Sequence, residues 1–185
     1  LYGVDIMKEA VEIAKLRLFL KLVSTVDPVY RKPNIGLEPL PDIDFNIRSG
    51  NTLIGFANEN ELDDALTLTV DGLFSKPQIE RQMTVVSDTF KRYKDIQLKG
   101  APDYEEFKRI KDFLYSDLAN LNNTLNGFLH KKDYSNVKYE KWLETHKPFH
   151  WFAEFYEIIN GKGGFDVIIG NPPYGDVSGL GMGMG

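Results

Sequence analysis

The amino-acid sequence predicts an α/β fold, a partial parallel sheet of short strands interrupted by a long helical insertion. Apolar strand-like runs end in the polar residues Asp5, Asn51 and Asn171, and in doubly wound sheets ligands bind at the carboxyl ends of the strands. Between the second and third of these runs, apolar residues recur at three- to four-residue spacing, the signature of helices with one buried face. The composition fits a folded domain: 185 residues, 42% hydrophobic and 26% charged, are enough for a core. The chain accordingly divides into a sheet portion at 1–56, a helical insertion at 57–164, and a strand, exit loop and glycine-rich tail at 165–185.

The first strand runs from Tyr2 to Asp5, and a helix follows from Met7 to Val23. Ala10, Val11, Ala14, Leu18 and Leu22 fall on one face, and Ile13, Leu16 and Leu20 widen it. Asp5 is placed to accept the two ribose hydroxyls of a nucleoside, with Ile6 packing on the adenine face. The same carboxylate also suits a simple interaction with the helix dipole. Residues 24–44 are punctuated by Pro28, Pro33, Pro39 and Pro41 and read as a loop. A second strand from Phe45 to Ser49 then exits through Gly50-Asn51, where Asn51 is also a natural turn residue.

The insertion contains two apolar stripes. Ile79, Met83, Val86, Phe90 and Tyr93 form one; Phe107, Ile110, Leu114, Leu118, Leu121, Leu125 and Phe128 form the other. The break at Gly100-Ala101-Pro102 between them predicts an antiparallel helical hairpin. His130, His146 and His150 have no metal-ligand spacing with a carboxylate and read as structural, so no metal is expected. An amphipathic stretch from Trp151 to Ile159 returns the chain to the core, and Gly161, Gly163 and Gly164 end it.

The run Phe165-Asp166-Val167-Ile168-Ile169 reads as a buried strand that delivers the corner Gly170-Asn171-Pro172-Pro173-Tyr174. Each proline forces the preceding residue out of the α region and brings no N–H, so the corner is extended and rich in acceptors. The Asn171 side-chain oxygen and the Pro172 carbonyl suit a substrate that presents amino or amide hydrogens, and Tyr174 offers a flat face for a planar ring. Two acceptors on such hydrogens favour the tetrahedral, more nucleophilic nitrogen, a stabilisation that belongs to the transition state. The glycine pattern of Gly179 to Gly185 follows no strand and opens no helix, so it reads as a tail rather than a cofactor loop.

Composition narrows the function further. The absence of cysteine excludes disulfides, cysteine-ligated zinc and a cysteine nucleophile of the kind that cytosine-C5 methylation needs. A net charge of −5 argues against a large basic face for nucleic acid in this segment. No apolar run is long enough to cross a bilayer and no secretory pattern opens the chain, so the expected location is cytoplasmic.

Asn171-Pro172-Pro173-Tyr174 after an apolar run resembles the catalytic loop of amino-group methyltransferases, above all the adenine-N6 DNA methyltransferases of bacterial restriction-modification and phage-exclusion systems. The resemblance implies a partial Rossmann-like S-adenosylmethionine-dependent methyltransferase sheet with a long helical insertion. It implies S-adenosylmethionine as cofactor, bound through Asp5, Ile6 and the amide of Asn51, and catalysis by Asn171, Pro172, Pro173 and Tyr174. Double-stranded DNA would be the partner of the intact protein. In that family a strand and glycine-containing loop precede the segment that begins here at Leu1, and a recognition domain follows the catalytic loop, so an internal fragment is expected. Methylation of a protein glutamine amide is the alternative chemistry. A non-catalytic module that displays Pro172-Pro173-Tyr174 as a proline-rich ligand is the alternative class.

Overall fold

The computed structural model of the chain describes residues 1–27, 31, 42–68, 70–98 and 103–170. Strand β1 spans Gly3–Asp5, helix α1 Lys8–Ser24 and strand β2 Ile47–Ser49. The strands pair in parallel, Gly3 with Ile47, Val4 with Arg48 and Asp5 with Ser49. Parallel neighbours need a crossover, and α1 supplies it while packing on both strands.

The predicted stripe of α1 turns inward only in part. Val11 is buried and Ala10, Ala14, Leu18 and Leu22 are half-buried, but Ile13, Leu16 and Leu20 are more than half exposed. A platform of two short strands is too narrow to cover more than one stripe of a helix, so the residues expected to widen the buried face remain in solvent.

The insertion is helical as its periodicity predicts. Helix α2 spans Glu59–Thr67, α3 Val70–Leu98, α4 Tyr104–Asp133 and α5 Tyr139–His146. Asn58 caps α2 by accepting the Glu61 N–H at 3.0 Å, while the Glu61 carboxylate reaches back to the Ala57 N–H at 2.7 Å. Asp103 caps α4 through the Glu105 N–H. Helices α3 and α4 run antiparallel: Gln82 reaches the Asn120 carbonyl, Thr89 donates to Asp117, and Tyr93 stacks on Phe107. Ile79, Val86, Phe90 and Tyr93 on one side and Ile110, Leu114, Leu118, Leu121, Leu125 and Phe128 on the other are buried in their shared seam. The connection at Gly100-Ala101-Pro102 lies outside the described residues.

The helical core reaches into the sheet portion, since Phe45 and Phe56 join the same apolar cluster as α2 to α5. A buried ion pair ties the two together: Arg48 of β2 donates to Glu154 at 2.6 Å, and Asn122 of α4 holds the other Glu154 oxygen at 2.7 Å. The return leg from Trp151 is broken rather than continuous. Helix α6 covers only Trp151–Glu154, and after Phe155 leaves helical geometry a π-helical turn covers Glu157–Gly161. Gly163 and Gly164 then take positive φ, as terminating glycines do.

The expected third strand is not formed. Residues 165–170 carry no strand pairing, and Val167, Ile168 and Ile169 are 73%, 73% and 91% exposed. Among the described residues the sheet has two strands, an α/β core in a mostly helical chain and short of the Rossmann-like sheet the resemblance implies. An apolar run shows that a segment gains from burial, but a strand exists only where a neighbour offers an edge. Residues 165–170 flank a groove beside β1 without entering its ladder.

Candidate functional site

The carboxyl ends of β1 and β2 converge. Asp5 stands opposite Ser49, and the Gly50 N–H extends the ladder by donating to the Asp5 carbonyl at 2.9 Å. The chain therefore leaves β2 beside Asp5, and Asn51 is the next residue. The structure thus brings Asp5 and Asn51 to one edge, as their positions at strand ends predict. Asp5 is exposed, and its Oδ1 accepts the Met7 N–H at 2.8 Å. One oxygen of this carboxylate steadies the start of α1, and the other has no protein partner among the described residues. Ile6 is 46% exposed and Leu53 86% exposed, so apolar surface lies next to both polar groups.

Asn51 is held in a tight turn. Its Oδ1 accepts the Leu53 N–H at 3.1 Å and its carbonyl the Ile54 N–H at 3.1 Å. With the oxygens committed to the turn, the side-chain amide N–H groups are what Asn51 can offer an aromatic heterocycle. The turn reading and the ligand reading are compatible, because the turn orients the amide.

The loop after β2 is moulded onto a distant segment, Lys147 to Trp151. The Asn51 N–H donates to the Lys147 carbonyl at 2.7 Å, and the Phe149 N–H to the Ile54 carbonyl at 2.7 Å. The Trp151 indole N–H donates to the Thr52 carbonyl at 3.1 Å, and the Phe56 N–H to Nδ1 of His150 at 3.1 Å. Nδ1 must therefore be unprotonated, and Nε2 carries the hydrogen that is donated to Asn126 Oδ1 at 3.0 Å. His150 is 1% exposed, and burial holds its pKa down to about 3. Gly50 is required by contact, since a Cβ there would lie 2.8 Å from the Phe149 ring. Gly55 is required by conformation as well: its φ is +139° and a Cβ would lie 2.2 Å from the Phe149 carbonyl oxygen. Lys147 takes positive φ at the end of α5 and extends its ammonium to within 3.5 Å of the Ile6 carbonyl.

A groove of about 450 Å³ opens beside β1, within the range of about 300–1,000 Å³ usual for small-molecule sites. It is lined by Val4 of β1, by Thr52 and Leu53, which follow Asn51, and by Ile169 and Gly170, which precede Asn171. Phe165 anchors its wall against Tyr2, Trp151 and Phe155, with ring centroids 5.7, 6.1 and 5.6 Å away. The corner Asn171, Pro172, Pro173 and Tyr174 lies outside the described residues. Its immediate approach borders the same groove as the Asn51 loop.

Sequence reasoning missed Lys147, Phe149, His150 and Trp151. The sequence reads His150 as a surface or partly buried structural histidine; it is instead fully buried, and its partner Phe56 lies 94 positions away, with nothing in either neighbourhood to mark the pairing. Among the described residues no three His, Asp or Glu side chains cluster to hold a metal, and no helix is long and apolar enough to cross a membrane.

Comparison with known proteins places these features in context. The pattern of the Eco57I restriction-modification methylase family matches residues 1–182. A Methanocaldococcus jannaschii protein, named as a type II restriction enzyme and methyltransferase, is 34% identical over 218 aligned residues that cover 96% of this chain. The chain spans 18% of that relative's length. No solved structure matches it.

Proposed function

The chain belongs to the Eco57I restriction-modification methylase family, and from that membership we propose that the protein carrying it methylates the N6 amino group of adenine in double-stranded DNA, with S-adenosylmethionine as donor. The observation that carries the reading is the shared groove: the residues after Asn51 and those before Asn171 line one cavity beside β1. The three segments would then act as a partial methyltransferase core at 1–56, a helical insertion at 57–164 and a catalytic segment with its loop at 165–185. The reaction would take place in the cytoplasm.

The residues present fit the adenosine part of the cofactor. Asp5 has an exposed carboxylate for the ribose hydroxyls, Ile6 an exposed apolar face for the ring, and Asn51 an amide oriented by its turn. When bound, the cofactor supplies an electrophilic methyl group on sulfur. The chain's own residues would do the rest. Asn171 Oδ1 and the Pro172 carbonyl accept the two amino hydrogens of the target base and draw its nitrogen lone pair out of conjugation, while Pro173 keeps the corner extended. Tyr174 stacks on the base, which must leave the duplex at a cost of a few kcal/mol; stacking returns about 1–3 kcal/mol. With a net charge of −5, this segment does the chemistry, and the grip on DNA phosphates falls to other parts of the protein.

Exposure of residues 167–169 removes burial as an argument against a proline-rich ligand role for Pro172-Pro173-Tyr174. Family membership supports the catalytic role instead. The test is single-turnover methyl incorporation by the intact protein. Asn171→Ala is expected to lower the chemical rate about a hundredfold or more, the scale of losing a transition-state hydrogen bond. Methyl groups appearing on protein glutamine and never on DNA adenine would refute the assignment.

A further inference from the structure

We infer that His150, through its two ring nitrogens, is a positioning residue that sets the Asn51 loop for the adenosine part of the cofactor; the inference rests on the methyltransferase reading above. The loop from Gly50 to Phe56 begins at Asp5 and ends at His150. At its start the Gly50 N–H is bonded to the Asp5 carbonyl, and at its end the Phe56 N–H is bonded to His150 Nδ1. Between these points the turn at Asn51 and the positive φ of Gly55 leave the chain little freedom.

The other hydrogen bonds between residues 147–151 and this loop use backbone groups or the rim residue Trp151, and the Phe149 ring only packs on Gly50. His150 differs because its side chain passes beneath the loop and reaches α4, where Asn126 Oδ1 accepts from Nε2 at 3.0 Å. Its ring also stacks on Phe56, centroids 5.4 Å apart at 21°. One imidazole thus registers the exit of β2 against the central helix of the insertion. A buried donor left without its acceptor costs more than the bond contributes, so removal of Nδ1 would free the Phe56 N–H and loosen the end of the loop that Phe56 closes.

The experiment compares His150→Leu, His150→Gln and Asn126→Ala in the intact protein. Gln keeps an acceptor and a donor; Leu has neither. Two quantities are read: amide hydrogen exchange over residues 51–56, and the KM for S-adenosylmethionine set against kcat. For Leu we expect exchange and cofactor KM each to rise about tenfold, with kcat at saturating cofactor within about twofold of wild type. Gln should restore most of both, and Asn126→Ala should fall between. If Leu fails to fold, Gln against Asn126→Ala still decides the matter. Wild-type exchange and KM in the variants, or a lower kcat with unchanged KM, would reduce His150 to an ordinary core residue and overturn the inference. If exchange responds but the wild-type protein binds no S-adenosylmethionine, the loop is positioned as described, and the cofactor assignment, with the inference built on it, is wrong.

Discussion

Asp5 Oδ1 accepts the backbone N–H of Met7 at 2.8 Å, so the carboxylate at the end of β1 also closes the entry to α1. The two roles separate by substitution. Asp5→Asn keeps the Oδ1 acceptor but loses the charged second oxygen, so cofactor affinity should fall about tenfold or more with the urea midpoint unchanged. Asp5→Ala should lose the same affinity and also about 0.5–1.5 kcal/mol of stability, the net worth of its hydrogen bond to the Met7 N–H. Calorimetric titration of the intact protein with S-adenosylmethionine, beside urea unfolding, checks both. Unchanged affinity in Asp5→Asn would leave the helix role alone.

Tyr174 is proposed to receive the extruded base by stacking. Tyr174→Ala should weaken base capture by about tenfold, and Tyr174→Phe, which keeps the ring, should stay within about threefold of wild type. Fluorescence of 2-aminopurine at the target position reports capture independently of methyl transfer.

Gly55→Ala combines a φ of +139° with a Cβ placed 2.2 Å from backbone, so neither rotation nor a side-chain shift relieves it. A loss of about 1–3 kcal/mol is expected. The disturbance should extend to the Phe149–Ile54 hydrogen bond. Chemical denaturation and amide exchange at Phe149 would show it.

Arg48 and Glu154 form a buried pair, 17% and 10% exposed in their side chains. Arg48→Met leaves the Glu154 carboxylate buried with Asn122 as its remaining partner, and a loss of about 3 kcal/mol is expected. Adding Glu154→Gln should recover part of that loss, because the stranded charge is gone. A double-mutant cycle in urea measures the difference.

The buried His150 makes stability depend on pH. Its folded pKa, about 3, lies below the ordinary value of 6.5, so the unfolded chain binds this proton more readily. The stabilisation is complete above about pH 6.5 and is lost as pH falls toward 3, at a slope of up to about 1.4 kcal/mol per pH unit. His150→Gln should flatten that slope. Urea midpoints measured between pH 7 and 4 in both proteins provide the check.

Much of this molecule is legible residue by residue. The stripes of α3 and α4, the strand ends at Asp5 and Gly50-Asn51, and the terminating glycines at 163 and 164 follow from spacing and backbone preference, which act between near neighbours in the chain. The reading of Asn171 to Tyr174 rests on local properties too, proline geometry and the chemistry of acceptors, and that corner lies outside the described residues. The pairing of residues 50–56 with 147–151 is of another kind. Phe56 and His150 are ordinary residues in their own surroundings, and folding the helices of the insertion between these positions, 94 apart, is what makes one the donor and the other the acceptor. Burial also depends on the whole assembly. Ile13, Leu16 and Ile169 are apolar enough to be read as core, yet they are exposed, because among the described residues the two-stranded sheet and its helices present no surface that covers them. Hydrophobicity specifies which side chains gain from leaving water, and the shape of the folded chain sets which of them find a partner there.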